Sequence, residues 1–133
     1  MVRPREHAGV SILIVDDEHG LGEMLKDVLV DVGYDVSLAI NGRRALDRLQ
    51  ERTFDVVLTD VMMPVMDGVE LARILRADAR HQLTRIVLMT AMLSVAPAEA
   101  GLYDAVLEKP FTPDSLFTTL SAVRLTPRLI RDR

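Results

Sequence analysis

The sequence contains no cysteine, which excludes disulfides and any thiolate metal site. It also lacks an apolar run approaching the ~18 residues that a transmembrane helix needs, so no membrane association is expected. Residues 1–9 carry charges and a proline but no apolar segment. They do not read as a signal peptide, and the cytoplasm is the expected compartment. Excess positive charge is missing too: a net charge of −4 speaks against a general nucleic-acid surface, and no direct nucleic-acid binding is expected. Lysine is scarce, with two against fourteen arginines. Internal repeats, low-complexity tracts and linkers are absent. What remains is ordinary for a globular chain, 49% hydrophobic and 27% charged over 133 residues. That is enough for one domain with a sizeable core.

The apolar pattern alternates between two lengths. Short β-branched runs stand at 10–15, 35–40, 54–59, 85–89 and 104–107. Three of them are nearly continuous, as expected of strands covered by helices on both faces. The second alternates through Val36, Leu38 and Ile40, which suits an edge strand. Between the runs lie helical spacings. Leu21, Leu25, Val28, Leu29 and Val32 form one stripe, closed by Gly33 at a left-handed C-terminal cap. Ala45, Leu46 and Leu49 form a second, with Asn41 as N-cap. A third comprises Val69, Leu71, Ala72, Ile74 and Leu75. Residues 97–102 allow only a short fourth helix. The fifth begins with Pro113 in its first turn and Thr112 as N-cap, and buries Leu116, Phe117, Leu120 and Val123.

Five β–α units in succession predict an α/β fold, a doubly wound five-stranded parallel sheet with right-handed crossovers and helices on both faces. Residues 10–125 form this domain, between an extended or disordered tail at 1–9 and a basic tail at 126–133 that is expected to fray. Binding in such sheets occurs at the carboxyl ends of the strands, near the point where strand order reverses. The first strand ends in Asp16-Asp17-Glu18, the third in Asp60 and the fourth in Thr90, while Lys109-Pro110 follows the fifth. Singly, each has a bland explanation: an acidic helix start, a loop aspartate, a β-forming threonine, a surface lysine. Together they are harder to dismiss. Three carboxylates converging at ~4 Å repel by several kcal/mol at an intermediate dielectric, which a cation would relieve. All-oxygen ligands suit Mg²⁺, and a lysine and a hydroxyl facing the same place would hold phosphoryl oxygens. Aspartate is itself a nucleophile for aspartyl-phosphate formation. The constellation points to metal-assisted phosphoryl transfer to a carboxylate.

The segment Asp60-Val61-Met62-Met63-Pro64-Val65-Met66-Asp67-Gly68 resembles the D-x-x-M-P-x-x-D-G segment of CheY-like response-regulator receiver domains. Asp16-Asp17 precede it, and Thr90-Ala91 and Lys109-Pro110-Phe111 follow in the family's order, so the resemblance covers about residues 10–124. It implies a flavodoxin-like strand order 2-1-3-4-5 and a phosphorylation-dependent signalling switch rather than an enzyme acting on external substrates. On matching positions, Asp60 is the phosphoacceptor. Asp16, Asp17, Asp60 and the backbone carbonyl of Met62 hold Mg²⁺, with Mn²⁺ as a substitute. Thr90 and Ala91 contact the phosphoryl group, Lys109 pairs with its oxygens, and the Lys109-Pro110 bond is cis. Pro64 and Gly68 shape the loop, and Asp67 caps the helix that follows. The implied donor is a phosphohistidine on a sensor histidine kinase or histidine phosphotransfer protein. Output runs through protein–protein contact, by a monomer or a phosphorylation-dependent dimer. The chain reads as a stand-alone receiver or one excised from a longer regulator.

Two features depart from that family. Where many receivers carry a switch aromatic three residues before the lysine, this chain has Val106, and its nearest aromatic is Tyr103. Only eighteen residues separate Thr90 from Lys109, a few short of the family norm, at the expense of the fourth helix. Ala91, Met92, Leu93 and Val95 then either form an apolar interaction surface or are covered by the shortened segment itself. Val106 is the one support for an alternative, a phosphorylation-independent receiver acting as a constitutive binding module; the complete acidic, threonine and lysine set opposes it. A phosphatase of the haloacid-dehalogenase type would need D-x-D after the first strand and a cap insertion, and neither is present.

Overall fold

The computed structural model describes residues 9–18 and 20–125, so the expected tails lie, apart from Gly9, outside the described residues. Five strands, β1 (Ser11–Val15), β2 (Asp35–Ala39), β3 (Val56–Asp60), β4 (Arg85–Thr90) and β5 (Ala105–Glu108), alternate with α1 (Leu21–Asp31), α2 (Gly42–Glu51), α3 (Gly68–Arg76) and α4 (Pro113–Leu125). Every strand pairing is parallel, and the order is β2-β1-β3-β4-β5. This is the expected doubly wound sheet. Successive strand residues point to opposite faces, and both faces are covered. Leu13, Val15, Val57 and Leu88 pack with Ala45 and Leu49 of α2 and Leu71, Ala72 and Leu75 of α3. Ile12, Ile14, Leu58 and Met89 pack with Leu25 and Leu29 of α1 and Leu116, Leu120 and Val123 of α4. Each fully buried leucine or isoleucine contributes about 1.5–3 kcal/mol. No helix among the described residues is long and apolar enough to cross a membrane.

The expected caps form. Gly33 adopts a φ of 108°, and its N–H donates to Val30 O while Tyr34 N–H donates to Leu29 O, the paired bonds of a Schellman motif. The Asn41 side chain accepts from Arg44 N at 2.8 Å. Asp67 and Glu70 form a reciprocal capping box that satisfies two otherwise orphaned donors. Thr112 Oγ1 accepts from Ser115 N at 3.1 Å.

The fourth helix expected at 97–102 is not formed. The connection between β4 and β5 holds only a 3-10 turn at Leu93–Val95. Ala96 is extended, with ψ 118°, as the ring of a following proline demands. The few residues after Pro97 offer too few hydrogen bonds to offset helix nucleation. Side chains hold the connection instead. Arg76 of α3 donates to Gly101 O, Leu102 O and His81 O and to the Asp104 carboxylate at 3.1 Å. Asp104 in turn accepts from Ile86 N at the start of β4.

Candidate functional site

Parallel registers deliver the candidate residues to one edge. Val15 lies opposite Thr59, so Asp16, one residue beyond β1, stands beside Asp60, the last residue of β3. Thr90 ends β4 opposite Glu108, and Lys109 follows, its N–H donating to Thr90 O at 2.8 Å. The Lys109-Pro110 bond is cis. Asp16 and Asp60 are buried, at 5% and 7% exposure, whereas Asp17 is exposed. One carboxylate oxygen from each of the three lies within 4.8 Å of the others. Lys109 Nζ bridges the buried pair, donating to Asp16 Oδ2 at 3.3 Å and Asp60 Oδ2 at 3.2 Å. The other oxygen of Asp16 accepts from Glu18 N at 2.7 Å.

The electrostatics follow from this packing. Burial pushes the Asp60 carboxyl above its usual range; Lys109 opposes the shift, and the charges of Asp16 and Asp17 add to it. Burial alone would lower the Lys109 amine, but attraction to Asp16 and Asp60 and the hydrogen bonds to both outweigh it and hold the ammonium above its usual value. One lysine against three carboxylates leaves excess negative charge around an all-oxygen donor set. That set fits a hard divalent cation such as Mg²⁺.

Asp16, Asp17, Asp60 and Lys109 are thus brought together as expected. Thr90 reaches the same edge, 2% exposed, but its hydroxyl is engaged by the backbone two residues on: Oγ1 accepts from Met92 N at 3.0 Å and donates to Met92 O at 3.1 Å. Ala91 is exposed and lines a groove beside Lys109 and Pro110. Val106 is half-buried against the core under α2 and α3. The side chains of Met62, Met92 and Leu93 are largely exposed, while Val95 packs on the core. The shortened segment therefore covers only part of its own apolar surface.

Sequence reasoning missed four features. Val65 has a φ of 71°, and Met66 N donates to Pro64 O at 2.8 Å, a γ-turn that a β-branched residue rarely adopts. Gly68 packs so closely that an added Cβ would collide with the Asp60 carbonyl. Arg76 clamps the β4–β5 connection, and the Tyr103 hydroxyl donates to Pro97 O at 2.6 Å. Of these, only the glycine of the D-x-x-M-P-x-x-D-G segment left a trace in the sequence; the others depend on partners or torsions that no local pattern encodes.

A parallel sheet with acids, a threonine and a lysine converging where strand order reverses defines a phosphorylation switch of the two-component signalling class. The chain belongs to the response regulator receiver domain family, whose model matches residues 12–121. It is 40% identical over 111 residues to the response regulator Rre1 of Synechocystis sp., covering 80% of this chain and 48% of that protein. It is similar in structure to the chemotaxis response regulator CheY4 of Vibrio cholerae, with a TM-score of 0.81 and 35% identity, covering 86% of this chain and 98% of that one. The response regulator TrrA of Thermotoga maritima, solved in complex with Mg²⁺-BeF, matches with a TM-score of 0.76 and 30% identity over 86% of this chain and 98% of that one. The chain spans about half the length of the first curated relatives it matches.

Proposed function

We propose that this chain is a cytoplasmic signalling switch that accepts a phosphoryl group on Asp60 from a phosphohistidine donor and regulates a partner by protein–protein contact. The observation that carries this reading is the buried Asp60 meeting Asp16, Asp17 and Lys109 at the carboxyl edge of the sheet. One Asp60 carboxylate oxygen attacks the donor phosphorus as the phosphorus–nitrogen bond breaks, and the imidazole nitrogen leaves with the bonding electrons and takes up a proton. Lys109, already within hydrogen-bond distance of Asp60 Oδ2, turns its ammonium to the incoming phosphoryl oxygens. The Thr90 hydroxyl and the backbone around Ala91 approach the same group once it is formed. Asp16, Asp17, Asp60 and the Met62 carbonyl would hold Mg²⁺, or Mn²⁺ in its place. Bound there, the cation would offset the charge shared by the carboxylate and the phosphoryl oxygens. Hydrolysis restores the carboxylate and resets the switch.

A sensor histidine kinase or histidine phosphotransfer protein supplies the donor. An apolar groove of about 550 Å³, lined in part by Leu21, Met24, Leu25 and Phe111, opens beside Lys109 and offers such a protein a place to rest against the site. Output passes through a monomer or a phosphorylation-dependent dimer. Intact-mass spectrometry after incubation with Mg²⁺ and a small acyl phosphate tests the chemistry. The wild-type chain is expected to gain one phosphoryl mass, and neither Asp60→Asn nor a metal-free sample should. An undiminished gain in Asp60→Asn would remove Asp60 from the role.

A further inference from the structure

We propose that Tyr103 is a positioning residue for Thr90, whose hydroxyl bond to Pro97 holds the Met92–Pro97 segment where it occupies the Thr90 hydroxyl and so biases the resting state against the phosphorylated one. The inference rests on the phosphoacceptor reading of Asp60. A threonine hydroxyl has a single proton to donate, and that of Thr90 goes to Met92 O at 3.1 Å. Donating to a phosphoryl oxygen on Asp60 requires Thr90 to let go of that carbonyl, which otherwise pairs with it alongside the Met92 N–H bond. The segment beyond is tied to the same peptide: Val95 N donates to Met92 O at 3.2 Å, and Ala96 N to Leu93 O at 3.1 Å. One residue further on, Pro97 O accepts from Tyr103 Oη at 2.6 Å. A continuous chain of bonded groups thus runs from Thr90 through Met92, the 3-10 turn and Pro97 to Tyr103.

The far end of this chain is firm. The Tyr103 ring packs against the core, and its neighbour Asp104 is gripped by Arg76 and by Ile86 N. The near end is light, because no α-helix stiffens residues 91–104 and Met92 and Leu93 are largely exposed. Tyr103 therefore acts as an anchor against which the Thr90 latch is held. Releasing it frees the segment, and the apparent affinity for a phosphoryl group rises because a larger fraction of molecules has Thr90 available.

The chain has no tryptophan, so calorimetry with beryllium fluoride in saturating Mg²⁺ is the direct measurement. Tyr103→Phe keeps the ring and removes only the hydroxyl. It should bind beryllium fluoride about two- to tenfold tighter than wild type, the range expected for loss of one net hydrogen bond, with affinity for Mg²⁺ alone unchanged. In a Thr90→Ala background the same substitution should have no effect. Equal affinities for wild type and Tyr103→Phe would overturn the inference and leave the phosphoacceptor reading intact. So would a gain that persists in Thr90→Ala. Failure of wild type to bind beryllium fluoride at all would overturn both.

Discussion

Around Asp60, single atoms decide what the loop after β3 can be. Gly68 N–H donates to Val61 O at 2.8 Å, and the α-carbon is so close to the Asp60 backbone that a methyl group has nowhere to go. The obstacle is a carbonyl rather than a side chain able to swing aside. Gly68→Ala is therefore expected to lower stability by about 1–3 kcal/mol, the usual cost of overpacking, and to weaken Mg²⁺ binding by displacing the loop that carries Met62. Urea unfolding and calorimetry would read the two effects, and an unaltered urea midpoint would contradict the close fit. Val65, two residues upstream of the capping box, is 93% exposed with its positive φ. Its conformation gains nothing from burial, and torsional strain of about 1–3 kcal/mol sits beside the site.

At the scale of elements, the connection from β4 to β5 departs most from a plain β–α repeat. With no α-helix to organise it, the Arg76 guanidinium does so, through three carbonyls and a carboxylate drawn from residues 81–104. The Arg76–Asp104 pair is largely shielded, at 13% and 18% side-chain exposure, so removing one partner strands the other. Arg76→Ala should cost about 2–4 kcal/mol and make residues 91–101 more readily cleaved by protease. Denaturant unfolding and a limited-proteolysis time course, both against wild type, would check it; an unchanged cleavage rate would mean that other contacts hold the connection.

Across the whole molecule the two edges of the sheet have different work. The carboxyl edge gathers charge at the site, whereas the amino edge of β4 buries His81, 3% exposed, in the turn after α3. Among the described residues its Nδ1 has no hydrogen-bond partner, and Nε2 lies 3.8 Å from Asp78 Oδ2. Burial lowers the imidazole pKa below its usual 6.5; Asp78 opposes this, and Arg80 adds to it. The folded chain therefore binds this proton less readily than the unfolded chain. The stabilising contribution is fully present above pH 6.5 and is lost as pH falls from there through the folded value. The urea midpoint of wild type should drop more than that of His81→Gln between pH 7.5 and 5. Parallel curves for the two proteins would show that His81 titrates as it does in the unfolded chain.

The β–α alternation was legible in the sequence because the period of apolar residues follows directly from strand and helix geometry. The caps were legible because Gly33, Asn41, Asp67 and Thr112 act on backbone groups a few residues away. Asp16, Asp17, Asp60, Thr90 and Lys109 could be picked out because each sits at or just past a strand end, and parallel strands bring all such ends to one edge. The tertiary structure alone decided which atoms those residues touch. It turned the Thr90 hydroxyl onto Met92, set Lys109 between two particular carboxylates, and left residues 97–102 without a helix. It also joined Arg76 to carbonyls as far as 26 residues along the chain and Tyr103 to Pro97. Such partnerships depend on packing between elements distant in sequence and on the orientation of single side chains, and neither follows from a local pattern.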